Sequence, residues 1–289
     1  METKQTPFLT LTAPAKINLF LAVTGKRADG YHDLISLMCA VELHDILSLS
    51  LEPGGNRIRV VCSHRYVPEN ETNLAWRAAN VFMTNLRRQD KVTITIEKRI
   101  PVGAGLGGGS SDAAAVLLGL NHLYQTPFLI KELMSMGLTI GADVPFFLYG
   151  KPAVARGVGE KLEPCTGLCP FPVLLVCPRI SVSTRDIYKK LNLGLTKCEI
   201  KINNFHFGAR NFDVLHHLCN DLETVSVLKY PVIHKAKQAL LSNGARGVLM
   251  SGSGPAVFGL FSDADTADSA RQSLAGNKNW RVFLTALSV

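Results

Sequence analysis

The chain of 289 residues is predicted to be an α+β protein with two domains. Three features predict this class. The first sixty residues carry the alternating and short apolar runs of strands, a glycine-dense segment joins a strand to an Ala- and Leu-rich helix, and the C-terminal part alternates helices with strands. A connection rich in Gly, Pro and Cys near residues 155–170 indicates the boundary, so we assign 1–160 to an N-terminal domain and 161–289 to a C-terminal domain.

The N-terminal elements follow from apolar periodicity and from the residues that interrupt it. Turns are predicted at Gly30 and at Pro53-Gly54-Gly55. The predicted strands are 8–12, 17–23, 34–43, 46–51 and 92–97. The predicted helices are 73–86 with Asn73 as N-cap, 113–124 with Ser110, Ser111 and Asp112 as capping residues, 128–136, and 144–148.

The C-terminal elements are predicted in the same way. Short strands separated by Gly157 and Gly159 are expected within 151–162. Further strands are expected at 172–177, 246–250, 256–260 and 281–284, and helices at 184–191, 212–217, 232–242 and 264–275.

The charge balance favours small anionic ligands. Thirty-one basic and 23 acidic residues give a formal net charge of +8, which favours phosphates. No run of Lys or Arg exceeds two residues, so no nucleic-acid partner is expected. No apolar stretch reaches the ~20 residues that cross a bilayer, and the first six residues are polar. We therefore expect neither a membrane partner nor a secretory signal.

Seven cysteines are spread irregularly along the chain: Cys39, Cys62, Cys165, Cys169, Cys177, Cys198 and Cys219. The odd number and the lack of a C-x-x-C pair argue against a disulfide framework or a structural zinc site. We therefore expect reduced thiols in a cytoplasmic protein.

The most informative segment is the glycine loop, residues 103–109, in which five of seven positions are glycine. Glycine loses the most backbone entropy on ordering, so this density indicates a special purpose. Backbone without side chains lets several N–H groups converge on an anion, and the following helix begins with unpaired N–H groups. The arrangement of strand, glycine loop and helix therefore predicts a phosphate-binding site rather than a flexible linker.

Other phosphate-binding motifs fit this loop poorly. Gly103, Gly105 and Gly108 satisfy G-x-G-x-x-G, but residues 126–130 lack the acidic residue that a dinucleotide fold places ~20 residues later. The lysine of a P-loop is absent, because Gly109 is followed by two serines. The H-R-D, D-F-G and V-A-I-K motifs of protein kinases are also absent.

Three polar residues stand out in apolar surroundings. Lys16 and Asn18 lie two apart in a predicted strand and therefore share a face, which is either a solvent-facing edge or a site. Asp143 precedes Pro145 and so lies near the start of a helix, among bulky apolar residues. A partly desolvated carboxylate needs a cationic partner, and Lys16 is the natural candidate.

The motifs together resemble the superfamily of galactokinase, homoserine kinase, mevalonate kinase and phosphomevalonate kinase (GHMP kinases), over most of the chain. The resemblance is carried by P-V-G-A-G-L-G-G-G-S-S-D-A-A (101–114), P-A-K-I-N-L (14–19), R-A-D-G-Y-H (27–32), G-A-D-V-P-F-F (141–147), G-V-G-E (157–160) and S-G-S-G-P (251–255). Within the superfamily, these motifs are most similar to those of the kinases that phosphorylate the 2-hydroxyl of 4-diphosphocytidyl-2-C-methyl-D-erythritol in the non-mevalonate isoprenoid pathway.

This resemblance implies a fold and a reaction. The fold would be that of GHMP kinases: an N-terminal, ATP-binding domain like domain 2 of ribosomal protein S5, and a C-terminal, ferredoxin-like domain on the substrate side. The enzyme would use ATP, with Mg²⁺ bound mainly through the phosphates and with Ser111 or no side chain as its protein ligand. Its partner would be a small molecule with a cytidine diphosphate group, and the enzyme would be a monomer or weak homodimer.

The resemblance also implies roles for individual residues. Asp143 would accept the hydroxyl proton and Lys16 would orient that carboxylate. ATP would be bound by Asn73, Leu74, Lys98, Pro101, Gly103, Gly105, Leu106, Gly107, Gly108, Gly109, Ser110, Ser111 and Asp112. The substrate would be bound by Asn18, Tyr31, His32, Asp143, Tyr188, Gly252 and Ser253, with Tyr31, His32 and Tyr188 around the cytosine.

Alternatives remain open at this point. Asn73 and Lys98 are explained nearly as well as a helix cap and a surface lysine. Read alone, Tyr31 is better explained as the start of a strand and 251–254 as a simple turn between strands. Another GHMP kinase acting on mevalonate or homoserine, a nicotinamide oxidoreductase using Gly103–Gly108, and a non-enzymatic nucleic-acid binder are the rival functions.

Overall fold

The computed structural model describes residues 7–196, 198 and 213–289, and it confirms the α+β class. The strands are β1 (Phe8–Lys26), β2 (His32–Glu52), β3 (Arg57–Cys62), β4 (Lys91–Glu97), β5 (Ala153–Gly157), β6 (Lys161–Pro164), β7 (Pro172–Pro178), β8 (Cys219–Asn220), β9 (Gly247–Met250), β10 (Val257–Leu260) and β11 (Trp280–Ser288). The α-helices are α1 (Leu74–Leu86), α2 (Gly108–Leu123), α3 (Ile130–Ile140), α4 (Val144–Tyr149), α5 (Thr184–Lys190), α6 (Val214–His217), α7 (Glu223–Lys229), α8 (Pro231–Ser242) and α9 (Ala264–Ala275). None of these helices has the length and apolar character needed to cross a membrane.

The chain divides into two compact units, each assembled from separated stretches. Unit 1 comprises the residues up to 15 together with 44–102 and 107–150, and unit 2 comprises 16–43, 103–106 and 151–289. The division falls inside β1 and β2, because each of these long strands supplies one part to each unit. The glycine loop also contributes to both units, with residues 103–106 in unit 2 and 107–109 in unit 1.

Two long strands replace the four short ones expected at the N-terminus. β1 runs through Pro14, and β2 runs through His44 and Asp45, without the interruption that the sequence pattern indicated. The amide of Lys16, just after Pro14, donates to the carbonyl of Leu106 (2.9 Å), so a backbone bond to the glycine loop supports β1 there. Strand β3 was not predicted, because its charged residues obscure the apolar alternation.

Unit 1 packs helices on the strands that precede them. β2 pairs antiparallel with β4, for example Leu49 with Ile94, and β4 pairs parallel with β3. Helix α2 contains Gly119, at which a Cβ would collide with the side chains of Leu11 and Leu49. The absence of a side chain at this position therefore lets α2 lie close to β1 and β2.

Helix α2 starts earlier than predicted, and its capping residues were predicted wrongly. Gly107 occupies the N-cap position with φ +71°, and Ser110, Ser111 and Asp112 lie inside the helix. The positive φ explains the difference, because glycine can adopt it and a serine or aspartate rarely does. The helix therefore begins without a capping side chain, directly from the glycine loop.

Unit 2 is built around an antiparallel sheet in the order β2–β11–β7–β10–β9. β5 pairs with residues 34–38 of β2, and β8 pairs parallel with β1, joining Phe20 to Cys219. An apolar core forms between this sheet and α5, α8 and α9. Its members include Leu174, Val176, Ile187, Ile233, Leu240, Val257, Phe261 and Leu274. The predicted helix 212–217 is observed from Val214, while residue 212 lies outside the described residues.

The expectation that all cysteines are reduced is wrong, because Cys198 and Cys219 form a disulfide bond. The other five cysteines are free. The pair meets because Asp221 accepts a hydrogen bond from the amide of Cys198 (3.1 Å) while β8 holds Cys219 beside β1. The two cysteines are 21 positions apart in the chain, so the sequence does not reveal that they are close in space.

The disulfide predicts the number of reactive thiols. In denaturant, protein purified without reductant should react at the five free cysteines, and prior reduction should expose all seven. A Cys198→Ser, Cys219→Ser double variant should show the same number of thiols before and after reduction. A chromogenic thiol titration provides the measurement, and seven thiols in the unreduced protein would contradict the bond.

Candidate active site

Lys16 and Asn18 are buried in unit 2 and joined to each other, so they do not form a solvent-facing edge. The Nζ of Lys16 donates to Oδ1 of Asn18 (2.7 Å), and Nδ2 of Asn18 donates to Oγ of Ser36 (2.8 Å). Ser36 in turn donates to the carbonyl of Phe20 (2.7 Å). Lys16 and Asn18 are only 4% and 3% exposed. A buried ammonium is costly unless it is hydrogen-bonded, and this chain of polar groups fixes the position of the Lys16 amine.

The glycine loop and the turn at residues 251–254, called the S-G-S-G turn below, touch through their backbones in unit 2. The Ser251 hydroxyl donates to the carbonyl of Gly105 (3.0 Å), and the amide of Ala256 donates to the carbonyl of Ala104 (3.1 Å). A Cβ at Gly105 would collide with the Ser251 carbonyl, and one at Gly252 would lie 3.3 Å from the Gly105 carbonyl. The turn is therefore more than a connection between β9 and β10, because it also supports the glycine loop.

The same turn also approaches β1 and α5. A Cβ at Gly252 would lie 3.5 Å from Oδ1 of Asn18. The Ser253 hydroxyl lies 2.8 Å from the hydroxyl of Thr184, the first residue of the helix that carries Tyr188. Unit 2 thus brings Asn18, Gly105, Gly252 and Ser253 together from three distant parts of the sequence.

In unit 1 the first turn of α2 is surrounded by other residues predicted to bind ATP. The first intrahelical bond runs from the amide of Ser111 to the carbonyl of Gly107 (2.9 Å), so the amides of Gly108, Gly109 and Ser110 precede the helical ladder. A Cβ at Gly108 would lie 3.0 Å from the Lys98 amine, and one at Gly109 would lie 3.5 Å from the Leu74 side chain. These N–H groups, at the positive end of the helix dipole, form an arrangement suited to an anion.

Asn73 serves as the N-cap of α1, as the helix-cap interpretation predicted. Its Oδ1 accepts from the amide of Ala75 (2.8 Å), and its Nδ2 donates to the carbonyl of Pro68 (2.6 Å). The capping role fixes where α1 begins, and therefore fixes Leu74 beside the first turn of α2.

Lys98 is not a surface lysine, because its side chain is almost completely buried between two carboxylates. The amine lies 2.5 Å from Oδ2 of Asp45 and 2.6 Å from Oδ2 of Asp112. Asp45 also accepts hydrogen bonds from the amides of Arg99 (2.6 Å) and Ile100 (2.8 Å), so it fixes the approach to the glycine loop. Residues 45, 98 and 112 therefore form a buried cluster with one positive and two negative groups.

The two carboxylates make this cluster prone to take up a proton. Burial raises the pKa of Asp112 to about 7, although the nearby Lys98 ammonium opposes the shift. Burial lowers the pKa of Lys98, but the charges of Asp112 and Asp45 outweigh this effect and raise it overall. A protonated Asp112 would leave the cluster neutral, which favours its burial.

Asp45 was missed by the sequence reasoning, although the sequence holds a signal for it. Asp45 lies in the same alternation as Leu47, Leu49 and Leu51, all of which are buried on one face of β2. A carboxylate on an otherwise apolar strand face must find polar partners, so its position alone indicates a buried ion pair.

Asp143 stands at the N-cap position of α4, where the sequence predicted it. It is half-buried, and the side chains of Val144, Phe146 and Phe147 that follow are buried. A Cβ at Gly141 would lie 3.6 Å from the Ser110 hydroxyl, so the start of α4 is close to the first turn of α2 within unit 1. The pairing of Asp143 with Lys16, which belongs to unit 2, stays a prediction.

Two of the three aromatic residues predicted to surround a cytosine meet in unit 2. The rings of His32 and Tyr188 have centroids 5.1 Å apart and are tilted by 34°. Burial and the charge of Lys26 lower the pKa of His32, which favours its neutral form. Tyr31 is 63% exposed beside the turn made by Arg27 and Gly30, while β2 itself starts at His32.

Comparison with known proteins decides the family. The description "GHMP kinases N terminal domain" matches residues 73–151, and "GHMP kinases C terminal" matches residues 208–279. The 4-diphosphocytidyl-2-C-methyl-D-erythritol kinase of Syntrophotalea carbinolica is 48% identical, over 94% of this chain and 96% of the relative. That of Geobacter metallireducens is 45% identical, over 95% and 96%. The chain belongs to the 4-diphosphocytidyl-2-C-methyl-D-erythritol kinase family.

Solved structures agree with membership of this family. A crystal structure of 4-(cytidine 5'-diphospho)-2C-methyl-D-erythritol kinase has a TM-score of 0.77 and 37% identity, covering 96% of this chain and 99% of the other. A homoserine kinase from Cytophaga hutchinsonii has a TM-score of 0.76 at 19% identity, covering 100% and 97%, and thus shares the fold. The predicted superfamily and its two-domain fold class are confirmed.

The contact at Gly105 predicts a difference between two alanine variants of the loop. Gly103 and Gly105 both have positive φ, so alanine at either should lose about 1–3 kcal/mol through backbone strain. A Cβ at Gly103 meets only the Ser181 hydroxyl at 3.8 Å, whereas one at Gly105 collides with backbone. Gly105→Ala should therefore lose about 1–3 kcal/mol more of its free energy of unfolding than the matched control Gly103→Ala, as measured by urea unfolding. Equal losses would show that the backbone contact is unimportant.

The pKa of Asp112 predicts a pH dependence of stability. Between its ordinary value of 3.8 and about 7, the folded state holds a proton that the unfolded state releases. The free energy of unfolding should therefore decrease as pH rises through this window, by up to ~1.4 kcal/mol per pH unit, and level off above it. Asp112→Asn should remove this component, while Asp265→Asn, at an exposed position, should not. Parallel curves for wild type and Asp112→Asn in urea unfolding from about pH 5 to pH 8 would contradict the assignment.

Proposed function

We propose that this protein transfers the γ-phosphoryl group of ATP to the 2-hydroxyl of 4-diphosphocytidyl-2-C-methyl-D-erythritol, giving the 2-phosphate and ADP. Membership of the kinase family named for this substrate supports the reaction. The observation that carries the choice of substrate is the contact between His32 and Tyr188, which come from β2 and α5. An aromatic ring provides a stacking surface for a base, and a neighbouring histidine can hydrogen-bond to its polar edge. Mevalonate and homoserine, the acceptors of the rival kinases, contain no base.

The phosphates of ATP would bind to the glycine loop and the start of α2. The amides of Gly108, Gly109 and Ser110 precede the helical ladder, and the positive end of the helix dipole lies there. Leu74, beside Gly109, would contact the adenine side. Lys98 lies beside Gly108, but its amine is already engaged by two carboxylates. We therefore assign Lys98 to shaping the loop rather than to direct charge neutralisation.

Magnesium fits the first turn of α2. The Ser111 hydroxyl and Oδ1 of Asp112 are buried and have no hydrogen-bond partner among residues 7–196, 198 and 213–289. Oxygen atoms of this kind are the ligands that Mg²⁺ takes when most of its coordination comes from phosphate and water. When bound with ATP, the ion would neutralise charge on the phosphates, with the Ser111 hydroxyl or no side chain as its protein ligand.

Asp143 and Lys16 would act on the acceptor hydroxyl. The hydroxyl oxygen attacks the γ-phosphorus, the bond from that phosphorus to the bridging oxygen of ADP breaks, and the hydroxyl proton passes to the Asp143 carboxylate. Little charge develops on the attacking oxygen in a loose transition state, so alignment is the main task. Holding the reactants in line can contribute ~7–11 kcal/mol. The hydrogen-bonded chain from Lys16 to Ser36 supports such a fixed position for the lysine.

The remaining expectations stay predictions. They are a cytoplasmic location, a monomer or weak homodimer, the absence of nucleic-acid binding, and the division into an ATP-binding domain, 1–160, and a substrate-side domain, 161–289.

The experiment that tests the function is a comparison of acceptors. Purified protein with Mg·ATP should phosphorylate the cytidylyl substrate, and it should leave mevalonate and homoserine unreacted in the same coupled assay for ADP. Tyr188→Ala should raise KM for the cytidylyl substrate, whereas Tyr188→Phe, which keeps the ring, should not. Turnover of mevalonate or homoserine alone would replace the proposal with the rival kinase.

The assignment of Asp143 predicts a specific kinetic defect. Asp143→Asn keeps the size of the side chain but cannot accept the hydroxyl proton, so kcat should fall by about 10²–10⁴-fold while both KM values change little. Asp268→Asn, at an exposed carboxylate paired with Arg271 in α9, is the matched control and should retain wild-type kcat. Near-wild-type kcat in Asp143→Asn would exclude Asp143 as the base.

A further inference from the structure

One short segment of unit 2, Asn220-Asp221-Leu222-Glu223, lies beside the S-G-S-G turn. Side chains of this segment form hydrogen bonds with the backbone at and next to the turn. Asn220 is 5% exposed, and its side-chain amide group donates two hydrogen bonds. Its Nδ2 donates to the carbonyls of Met250 (2.8 Å) and Gly252 (2.8 Å), and its Oδ1 accepts from the amide of Leu222 (2.9 Å). Asn220 therefore reaches into the turn from the strand that pairs with β1.

Glu223 and Ser226 form further hydrogen bonds with the backbone at and next to the turn. Oε1 of Glu223 accepts from the amide of Met250 (2.7 Å), while its Oε2 pairs with Lys237 (2.5 Å). Ser226 is completely buried, and its hydroxyl donates to the carbonyl of Ser253 (3.1 Å). Side chains from residues 220–226 thus satisfy backbone groups from 250 through 253.

The same segment is also fixed to β1, the strand that carries Lys16 and Asn18. Oδ2 of Asp221 accepts from the amide of Val23 (2.9 Å), and Leu21 pairs with Asn220 in the ladder between β1 and β8. The S-G-S-G turn and β1 therefore share one rigid support. The S-G-S-G turn also lies against Gly105 and Asn18. A movement of the segment 220–223 would therefore change how these residues face each other.

We propose that Asn220 is a positioning residue for phosphoryl transfer, which holds the S-G-S-G turn against Gly105 and Asn18 without touching either reactant. The inference rests on the kinase activity proposed above. Two donors on one side chain hold the carbonyl of Met250, where β9 ends, and the carbonyl of Gly252, which has positive φ inside the turn. A carboxylate at position 220 would offer oxygen to both carbonyls and would release the turn.

The test compares Asn220→Asp with a matched substitution elsewhere. Asn220→Asp should lower kcat on the order of 10- to 100-fold, because misplacement by about 1 Å has effects of this size, while KM for each substrate stays within about threefold. The control is Asn121→Asp at the far end of α2. Asn121 is also buried and also donates its Nδ2 to a backbone carbonyl, that of Phe128 (3.1 Å). It should lose stability but keep wild-type kcat.

The outcomes separate the proposals from each other. Wild-type protein that fails to phosphorylate the cytidylyl substrate overturns the proposed function, whatever the variants do. If the wild type is active and folded Asn220→Asp has the same kcat, the proposed role of Asn220 is wrong. It is also wrong if Asn121→Asp, at the same thermal stability, loses as much kcat as Asn220→Asp. If Asn220→Asp does not fold, Ser226→Ala releases only the Ser253 carbonyl. It should lower kcat about threefold at unchanged KM, and unchanged kcat would overturn the proposal.

Discussion

The approach of two glycine turns through their backbones is the constraint on which the structure of unit 2 depends. Gly105 lies so close to the Ser251 carbonyl that a side chain cannot be placed between them. The hydrogen bond from Ser251 to the Gly105 carbonyl then joins the loop to the turn. Because each partner contributes backbone, the contact fixes the course of the glycine loop at Gly105 within unit 2. Asn220, Glu223 and the sheet of unit 2 maintain one side of this contact.

Each unit contains a buried lysine amine, and the two amines have different hydrogen-bond partners. In unit 2 the Lys16 amine donates to Asn18, whose amide group in turn donates to Ser36. In unit 1 the Lys98 amine is held by two carboxylates, and the cluster carries excess negative charge until Asp112 takes up a proton. The first arrangement fixes the position of a buried amine. The second suits a structural role beside the loop, and it couples the first turn of α2 to pH.

The structure differs from the sequence-based expectations at places where a distant residue decides the local conformation. Ser110, Ser111 and Asp112 are good capping residues by type, but Gly107 takes the N-cap position because the loop enters with positive φ. The four expected N-terminal strands merge into β1 and β2, since pairing partners along their length stabilise the residues between them. The disulfide between Cys198 and Cys219 arises from the pairing of β8 with β1, which no spacing of cysteines reveals.

The sequence by itself determined the elements and the chemistry that depends on local pattern. Periodicity located most helices and strands, glycine density identified the loop, and the motifs around residues 16, 31, 105, 143 and 252 identified the family, because such features depend on neighbours in the chain. Only the tertiary structure decided that Lys98 is buried between Asp45 and Asp112, that His32 meets Tyr188, and that Asn220 holds the S-G-S-G turn. These contacts join residues that are 14 to 156 positions apart. The burial and geometry that give them their meaning come from packing, which no local pattern records.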